Sequence, residues 1–220
     1  MPAFQAAATL ATVIGRVRAV LPDAGVTVVD DGSRDETEAV ATRVGALVIR
    51  HERNAGKGAA LATGIARALT DGAGVIITLD ADGQHPPEAL PLLLAPLAEA
   101  GVELVLGARE RSGAMPVPRR ITNWLSATIA SRVAGVSIPD AQTGLRAFTS
   151  RLAADVTLRI GRYTRYEYEA AFLLATLRAG YGVRSVTIPT IYDGQPSYFR
   201  NVTDGWRVAR VFARYLLGAS

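Results

Sequence analysis

The chain has 220 residues, of which 49% are hydrophobic and 20% charged, so it is long enough for one domain with a sizeable core. Its formal net charge of +4 favours anionic partners such as phosphates, lipid headgroups or nucleic acid. The absence of cysteine excludes disulfides and Cys-ligated zinc, and the presence of only two histidines argues against a multi-histidine metal site.

Strand-like and helix-like segments alternate along the first half of the chain. Apolar, β-branched runs predict strands at 25–31, 46–51, 74–80 and 102–109, and the segments between them predict helices at 35–44, 57–71 and 87–100. Ser33 and Glu36 have the spacing of a capping box that opens the first of these helices. Strands joined by helices of this length form βαβ units. The sequence therefore predicts a single α/β domain over 1–220, with a mainly parallel central sheet flanked by helices.

The second half of the chain alternates less regularly. We predict a loop at 110–118, a helix near 119–134, a strand at 144–149, a helix near 165–180, a strand at 183–190 and a final helix near 202–217. The first and last of these helices are basic and carry tryptophan. The last one is predicted to bear arginines on one face, with Trp206, Ala209, Phe212, Ala213 and Leu216 lining another. Such helices suit a membrane surface, and they equally suit a core-packing face opposite a solvated arginine face.

Acidic residues follow two of the predicted strands, at the edge where open α/β sheets bind ligands. Asp30 and Asp31 end the strand at 25–31, where paired acids either hydrogen-bond a base or ribose or form an ordinary helix-capping loop. Asp80, Asp82 and Gln84 follow the strand at 74–80 and offer the hard oxygen ligands that suit Mg²⁺ or Mn²⁺ shared with phosphates. We favour a metal over a capping loop here, because two crowded carboxylates repel each other unless a cation offsets their charge.

A glycine-rich segment with one lysine, NAGKGAALATG, opens the predicted helix at 57–71. It is not a Walker A loop because Gly58 follows Lys57, and it is not a dinucleotide fingerprint because Leu61 occupies the third glycine position. Glycines and a lysine at a helix start suit a phosphate. As an isolated signal, the segment favours a solvated helix start over a phosphate site.

Together and in this order, these motifs resemble family 2 glycosyltransferases of the GT-A fold, and especially the polyprenyl-phosphate (dolichyl-phosphate) mannose and glucose synthases. The matching segments are PAFQAAATLATVI, VVDDGSRDET, NAGKGAAL, LDADGQHPPE, GAR at 107–109, DAQTGLRAF, YEYEAAFLLATLRAGYGV and IPTIYDGQPSYFR. The resemblance covers nearly the whole chain. Two features depart from it: the family's usual first strand is expected to be missing before Pro2, and Phe4, Gln5 and Ala6 replace a tyrosine, an asparagine and a glutamate.

The resemblance implies a role for each site residue. Asp80, Asp82 and Gln84 would hold Mg²⁺ or Mn²⁺. The nucleotide sugar would contact Pro2, Phe4, Asp30, Asp31, Lys57, Gly58 and Ala81. Arg109 would bind an anionic oxygen, and Arg119 and Arg120 the acceptor phosphate. Asp140 is the candidate base, with a turn cap after Pro139 as the alternative. It would deprotonate an alcohol acceptor but would only position a phosphate, which is already ionised near neutral pH.

The leading hypothesis is an inverting, metal-dependent transfer of a hexose from a UDP- or GDP-sugar to a polyprenyl phosphate. One alternative keeps the reaction with a soluble alcohol acceptor. Another is a degenerate, non-catalytic sugar-nucleotide binder, against which the intact Asp80, Asp82, Gln84 and Asp140 argue. A nucleic-acid partner is not expected, because it would leave the acids at the strand ends unexplained. A sugar-1-phosphate nucleotidyltransferase would need a glycine-rich loop at its start. Since no signal peptide or transmembrane helix is predicted, we expect a cytoplasmic protein, with attachment to the cytoplasmic membrane face left open.

Overall fold

The computed structural model of the chain describes residues 1–109, 126–132, 135–160, 163–189 and 203–217. The first part comprises β1 (Pro2–Ala3), α1 (Ala7–Val20), β2 (Thr27–Asp30), α2 (Thr37–Arg43), β3 (Leu47–Arg50) and α3 (Lys57–Thr70). The second part comprises β4 (Val75–Thr78), α4 (Leu90–Leu94), β5 (Val102–Arg109), α5 (126–132), β6 (Arg146–Thr149), α6 (Ser150–Arg159), α7 (Glu167–Arg178), β7 (Gly182–Ile188) and α8 (Thr203–Leu216).

The strands pair in two groups, ordered β1-β2-β3 and β4-β6-β5-β7. The β1–β2, β2–β3 and β5–β7 pairs are parallel, whereas β6 runs antiparallel to both β4 and β5. The predicted α/β domain with a mainly parallel sheet flanked by helices is confirmed. The orientation of β6 was not evident from the sequence, because alternation of strand and helix does not state which way a strand enters the sheet.

The long apolar strand β5 lies between β6 and β7 and is covered on both faces. Leu104 and Leu106 pack into a cluster with residues of α6 and α7, and Val105, which points the opposite way, packs with residues of α1 and α4. All three side chains are fully buried. Burial on both faces explains why this strand reads as a continuous hydrophobic run rather than an alternating one.

The N-terminal segment forms a short strand beside β2. Pro2 aligns with Val29 and Ala3 with Asp30, the Met1 carbonyl accepts a 2.8 Å hydrogen bond from the Val29 amide, and the Met1 ammonium donates to the Thr27 carbonyl. Residues 1–3 thus supply hydrogen bonds along β2 from Thr27 onwards.

The predicted capping box at Ser33 and Glu36 is wrong. Helix α2 begins at Thr37, and the side chain of Glu36, which precedes it, makes no capping hydrogen bond. The Ser33 hydroxyl instead accepts a 2.9 Å hydrogen bond from the amide of Gln5, a residue with a left-handed backbone (φ 53°). The polar residue after β2 therefore fixes the loop that leads out of β1.

The predicted helix at 87–100 is interrupted. Only α4 is α-helical, and a 3₁₀ turn lies on each side of it, at Pro87–Ala89 and Ala95–Ala98. Pro91 and Pro96 explain the breaks, since each removes a backbone donor.

Helices α1 and α6 have no counterpart among the predicted elements. Helix α6 follows β6 without a loop, and the Thr149 hydroxyl caps it by accepting from the Leu152 amide at 3.2 Å.

The face of α8 that packs against the core differs from the predicted one. Val208, Val211 and Phe212 are buried, while Trp206 is 71% exposed. Ala209 and Ala213 are exposed as well.

No helix among the described residues is long and apolar enough to cross a membrane. The predicted loop at 110–118, the start of the helix near 119–134 and the end of the strand at 183–190 lie outside the described residues.

Candidate functional site

A cleft of about 440 Å³ opens at the carboxyl ends of the strands. The predicted site residues that line it are Pro2, Phe4, Asp31, Lys57, Asp80, Ala81, Asp82, Gln84 and Arg109. Asp31 follows β2, and Asp82 follows β4 in the other group of strands. Both face this one cleft, as a nucleotide-sugar site between them requires.

Asp31 joins the end of β2 to the glycine-rich loop. Its carboxylate accepts hydrogen bonds from the amides of Ala55 (2.9 Å) and Gly56 (2.7 Å), and it contacts the His51 Nδ1 atom at 2.7 Å. Gly56 has a φ of 106°, which favours glycine, and a Cβ there would lie 2.3 Å from the Thr164 carbonyl oxygen. The acid therefore fixes the loop that begins α3 while lining the cleft.

Asp30 does not line the cleft, so the structure does not bring both acids of the pair to the ligand. Its side chain is fully buried, accepts a 2.9 Å hydrogen bond from the Ser33 amide, and lies 3.5 Å from Arg50. Successive residues of a strand point to opposite faces, which separates Asp30 from Asp31. Its role is to stabilise the turn after β2.

Lys57 forms the centre of a charge cluster that is largely withdrawn from water. Its ammonium nitrogen lies 2.8 and 2.9 Å from the two oxygens of Asp80 and 3.2 Å from Oε1 of Glu169. Burial opposes the charged form of Lys57, but the two carboxylates raise its pKa above the ordinary value. Burial likewise opposes ionisation of Asp80, yet the Lys57 ammonium keeps the pKa of this carboxyl below the ordinary value.

The Asp80 carboxylate packs directly against the backbone of Gly144. A Cβ at Gly144 would lie 2.4 Å from Oδ2 of Asp80, so only glycine leaves room for the carboxylate in this position. Gly58 plays a comparable packing role in α3. A Cβ at Gly58 would lie 2.6 Å from the Arg165 carbonyl oxygen, and this residue does not line the cleft. In the structure, Gly58 thus lies at a contact between chain segments.

The oxygens of Asp82 and Gln84 fit a divalent cation shared with a ligand. Both residues line the cleft beside Asp80, and the Gln84 amide donates to Oδ1 of Asp82 at 3.0 Å, which sets the loop conformation. Among the described residues, no group of three acidic, histidine or cysteine side chains is arranged to hold a metal. The two carboxylates of Asp80 and Asp82 and the amide oxygen of Gln84 nevertheless suit Mg²⁺ or Mn²⁺, because these ions are commonly bound by one or two carboxylates together with substrate phosphates.

Arg109 and Asp140 form a buried, two-point ion pair. Nε of Arg109 donates to one carboxylate oxygen at 2.6 Å and Nη2 to the other at 3.1 Å. Asp140 is 2% exposed and does not line the cleft, whereas Arg109 does. Burial would raise the pKa of Asp140, but the guanidinium and its hydrogen bonds hold it below the ordinary value. Asp140 therefore fixes the orientation of the Arg109 guanidinium.

Two buried residues of the site were missed in the sequence. Glu169, in the first turn of α7, reaches Lys57, and burial raises its pKa above the ordinary value. His85 lines the cleft and is 3% exposed, and neither ring nitrogen has a hydrogen-bond partner among the described residues. The signal for Glu169 was the YEYE run ahead of an apolar helix, where glutamates that pack inward look like glutamates that face solvent. The signal for His85 was its place directly after Gln84 in LDADGQHPPE. Arg119 and Arg120 lie outside the described residues.

The chain is similar in sequence to several known proteins. The family Glycosyl transferase family 2 matches residues 1–156. The UDP-N-acetylglucosamine–dolichyl-phosphate N-acetylglucosaminyltransferase of Methanococcus voltae is 30% identical over 76% of this chain and 74% of its own length. The polyprenol monophosphomannose synthase of Mycolicibacterium smegmatis is 29% identical over 86% of this chain and 74% of its own length.

Solved structures resemble the fold. Glucosyl-3-phosphoglycerate synthase from Mycobacterium tuberculosis in complex with Mn²⁺, UDP-glucose and phosphoglyceric acid aligns with a TM-score of 0.74 at 22% identity, covering 100% of this chain and 78% of that one. The fold and the cleft define a GT-A glycosyltransferase. The chain belongs to glycosyl transferase family 2.

Proposed function

We propose that this glycosyltransferase transfers a hexose from a nucleotide-diphosphate sugar to a polyprenyl phosphate, with inversion and with a divalent metal. The observation that carries the proposal is the single cleft onto which Asp31, Asp82 and Arg109 face from the ends of three different strands. Relatives that are named as polyprenyl-phosphate or dolichyl-phosphate sugar transferases support the acceptor class. We propose that 1–220 forms the catalytic domain.

Different side chains of the cleft would bind different parts of the donor. Asp31, Pro2 and Phe4 line the part of the cleft next to β1 and β2, where the nucleoside would bind. Asp80, Asp82 and Gln84 would hold Mg²⁺ or Mn²⁺, which when bound neutralises the charge that develops on the leaving diphosphate. Arg109, whose guanidinium is held rigidly by Asp140, offers a planar donor group to an anionic oxygen.

The state of Asp140 favours a phosphate acceptor over an alcohol. An alcohol must lose a proton during transfer, and a general base typically contributes about 10²–10⁴-fold to such a step. Asp140 is buried, its pKa is below the ordinary value, and both of its oxygens are bonded to Arg109. A phosphate monoester is already an anion near neutral pH and needs positioning rather than deprotonation.

A soluble alcohol acceptor remains the second candidate. The Mycobacterium tuberculosis structure was solved with phosphoglyceric acid, and the low identity makes it a guide to the fold alone. A membrane-surface location goes with the polyprenyl acceptor, and the exposed Trp206 and the exposed arginines of α8 are compatible with it.

Transfer by the Asp82→Asn variant tests the metal-bound donor site. The substitution removes a charge that the metal needs and leaves the volume of the side chain nearly unchanged, so transfer should be abolished while the thermal unfolding midpoint stays at the wild-type value. Purified protein is assayed with Mg²⁺ or Mn²⁺ across a panel of UDP- and GDP-sugars. Undiminished turnover by this variant would refute the metal role.

The acceptor class is tested on a short-chain prenyl phosphate. Each charge-assisted contact to phosphate is worth about 1.5–3 kcal/mol. The Arg119→Ala, Arg120→Ala double variant should therefore raise the acceptor KM strongly and leave donor binding nearly unchanged. Wild-type acceptor kinetics in this double variant would rule out these two arginines as the phosphate site. If an alcohol is the acceptor instead, Asp140→Asn should be the more severe lesion.

A further inference from the structure

Lys57 stands between two carboxylates that belong to different parts of the site. Asp80, at the end of β4, is a proposed metal ligand, whereas Glu169, on α7, is not. The ammonium lies 2.8 Å from Oδ1 of Asp80 and 3.2 Å from Oε1 of Glu169, so it contacts both at once. The exposed fractions of the three side chains are 17% for Lys57, 20% for Asp80 and 7% for Glu169, so water screens this cluster weakly.

The same carboxylate cannot serve Lys57 and a divalent cation equally well. An ammonium that contacts both oxygens of Asp80 competes with a metal for those oxygens, and the two positive charges repel each other at short range. A lysine ammonium that is withdrawn from water and loses its only counter-ion strongly destabilises the folded state. Lys57 therefore needs a second anion within reach when Asp80 binds a metal, and Glu169 already lies within ion-pair distance.

Other contacts hold Glu169 in place for this exchange. Arg146, which is 2% exposed, donates from Nη1 to the Glu169 backbone carbonyl at 2.7 Å and from Nε to the Thr143 carbonyl at 2.9 Å. Arg146 thus joins the start of α7 to the segment that carries Gly144, which backs Asp80. The ring of Tyr166 lies 5.6 Å from the Lys57 ammonium and covers the same group.

We propose that Glu169 is a positioning residue that takes over Lys57 from Asp80 when the divalent cation binds, so that Lys57 acts as an internal counter-ion that is exchanged between the two carboxylates. The inference rests on the proposed metal site. It assigns no group transfer to either residue, since only ion pairs change partners.

Mn²⁺ binding to the full chain tests the exchange without any turnover. The protein is titrated with Mn²⁺, and the free ion is measured by its electron paramagnetic resonance signal. Lys57→Met removes the competitor for Asp80 and should tighten Mn²⁺ binding by about tenfold, while Glu169→Gln leaves Lys57 on Asp80 and should weaken it by about tenfold. Glu167→Gln is the matched control, because it removes a buried glutamate from the same turn of α7. It should bind Mn²⁺ as the wild type does.

The double variant separates exchange from simple loss of negative charge. If Glu169 acts through Lys57, Glu169→Gln has little further effect in the Lys57→Met background. An equal weakening in both backgrounds would overturn the exchange, and so would weaker binding by Lys57→Met. Thermal unfolding shows whether each variant folds.

Asp82→Asn separates this inference from the proposed function. If Asp82→Asn loses Mn²⁺ while Glu169→Gln matches Glu167→Gln, the metal site stands and the role of Glu169 is overturned. If wild type and Asp82→Asn bind Mn²⁺ equally, both the metal site and the exchange are overturned.

Discussion

At the scale of single residues, the site is built from charges that are paired before any ligand arrives. Lys57 with Asp80 and Arg109 with Asp140 are each nearly buried, and each pair joins elements that are far apart in the chain. Buried pairs of this kind add little net stability by themselves, but removing one partner leaves an uncompensated charge. Their consequence is orientation: Arg109 faces the cleft in one fixed geometry.

The Arg109–Asp140 pair leads to a prediction about stability. Asp140→Asn leaves the guanidinium buried without its counter-ion, and breaking such a pair typically costs about 3–5 kcal/mol of unfolding free energy. Asp71→Asn makes the same chemical change in the exposed pair with Arg67 and should alter stability by less than about 0.5 kcal/mol. Urea unfolding at pH 7 measures both. Equal, small effects of the two substitutions would show that the buried pair contributes no more to the free energy of unfolding than the exposed pair.

The same pair predicts a pH dependence. The folded-state pKa of Asp140 lies below its ordinary value of 3.8, so the folded state binds fewer protons than the unfolded state in the acid range. The contribution of Asp140 to stability is therefore complete above that value and is lost as the pH falls through the folded-state pKa. The difference in unfolding free energy between wild type and Asp140→Asn should shrink below about pH 4. A difference that stays constant down to pH 2.5 would contradict this origin.

At the scale of elements, the start of α3 is fixed by packing against a second chain segment as well as by the hydrogen bonds to Asp31. The segment 163–168 lies directly against Gly56 and Gly58, and the Ala59 amide donates to the Thr164 carbonyl at 3.0 Å. This contact brings Lys57 to the cleft and places Glu169 opposite it. The function of these glycines is therefore close approach of two chain segments, a property that a comparison with phosphate-binding loops does not reveal.

Two helical glycines give opposite predictions. Gly58→Ala would place a Cβ 2.6 Å from the Arg165 carbonyl oxygen, and overpacking of this kind costs about 1–3 kcal/mol. Gly15→Ala, in α1, meets no atom of the described chain within 4 Å and should stabilise the protein by about 0.5–1 kcal/mol through helix propensity. Both are measured by urea unfolding. The interpretation fails if Gly58→Ala is as stable as Gly15→Ala.

At the scale of the whole molecule, the cleft joins two groups of strands. Asp31 comes from the β1-β2-β3 group, and Asp80, Asp82 and Arg109 come from the β4-β6-β5-β7 group. A nucleotide diphosphate with its metal would contact both groups at once, so binding should stabilise the molecule as a unit.

This arrangement predicts a cooperative thermal shift. At 100 times the dissociation constant, a ligand adds about 2.7 kcal/mol to stability. For a domain of this size that amounts to roughly 5–10 °C in Tm. UDP or GDP together with Mn²⁺ should produce the shift, and either component alone should produce much less. Asp82→Asn should lose the joint effect. A shift with nucleotide that is indifferent to Mn²⁺ would contradict a metal-bridged site.

The sequence by itself determined the order of strands β2 to β7, the α/β class and the position of the ligand edge, because hydrophobic periodicity and strand-end acids are local signals. It also brought out Asp31, Asp80, Asp82 and Gln84, which follow strands directly. Only the tertiary structure decided that Asp30 is buried apart from Asp31, that Asp140 is bound by Arg109, and that Glu169 reaches Lys57. Each of these depends on which side chains meet across 20 to more than 100 residues of chain, and pairing at that separation is set by packing of the sheet and helices, which no local pattern encodes.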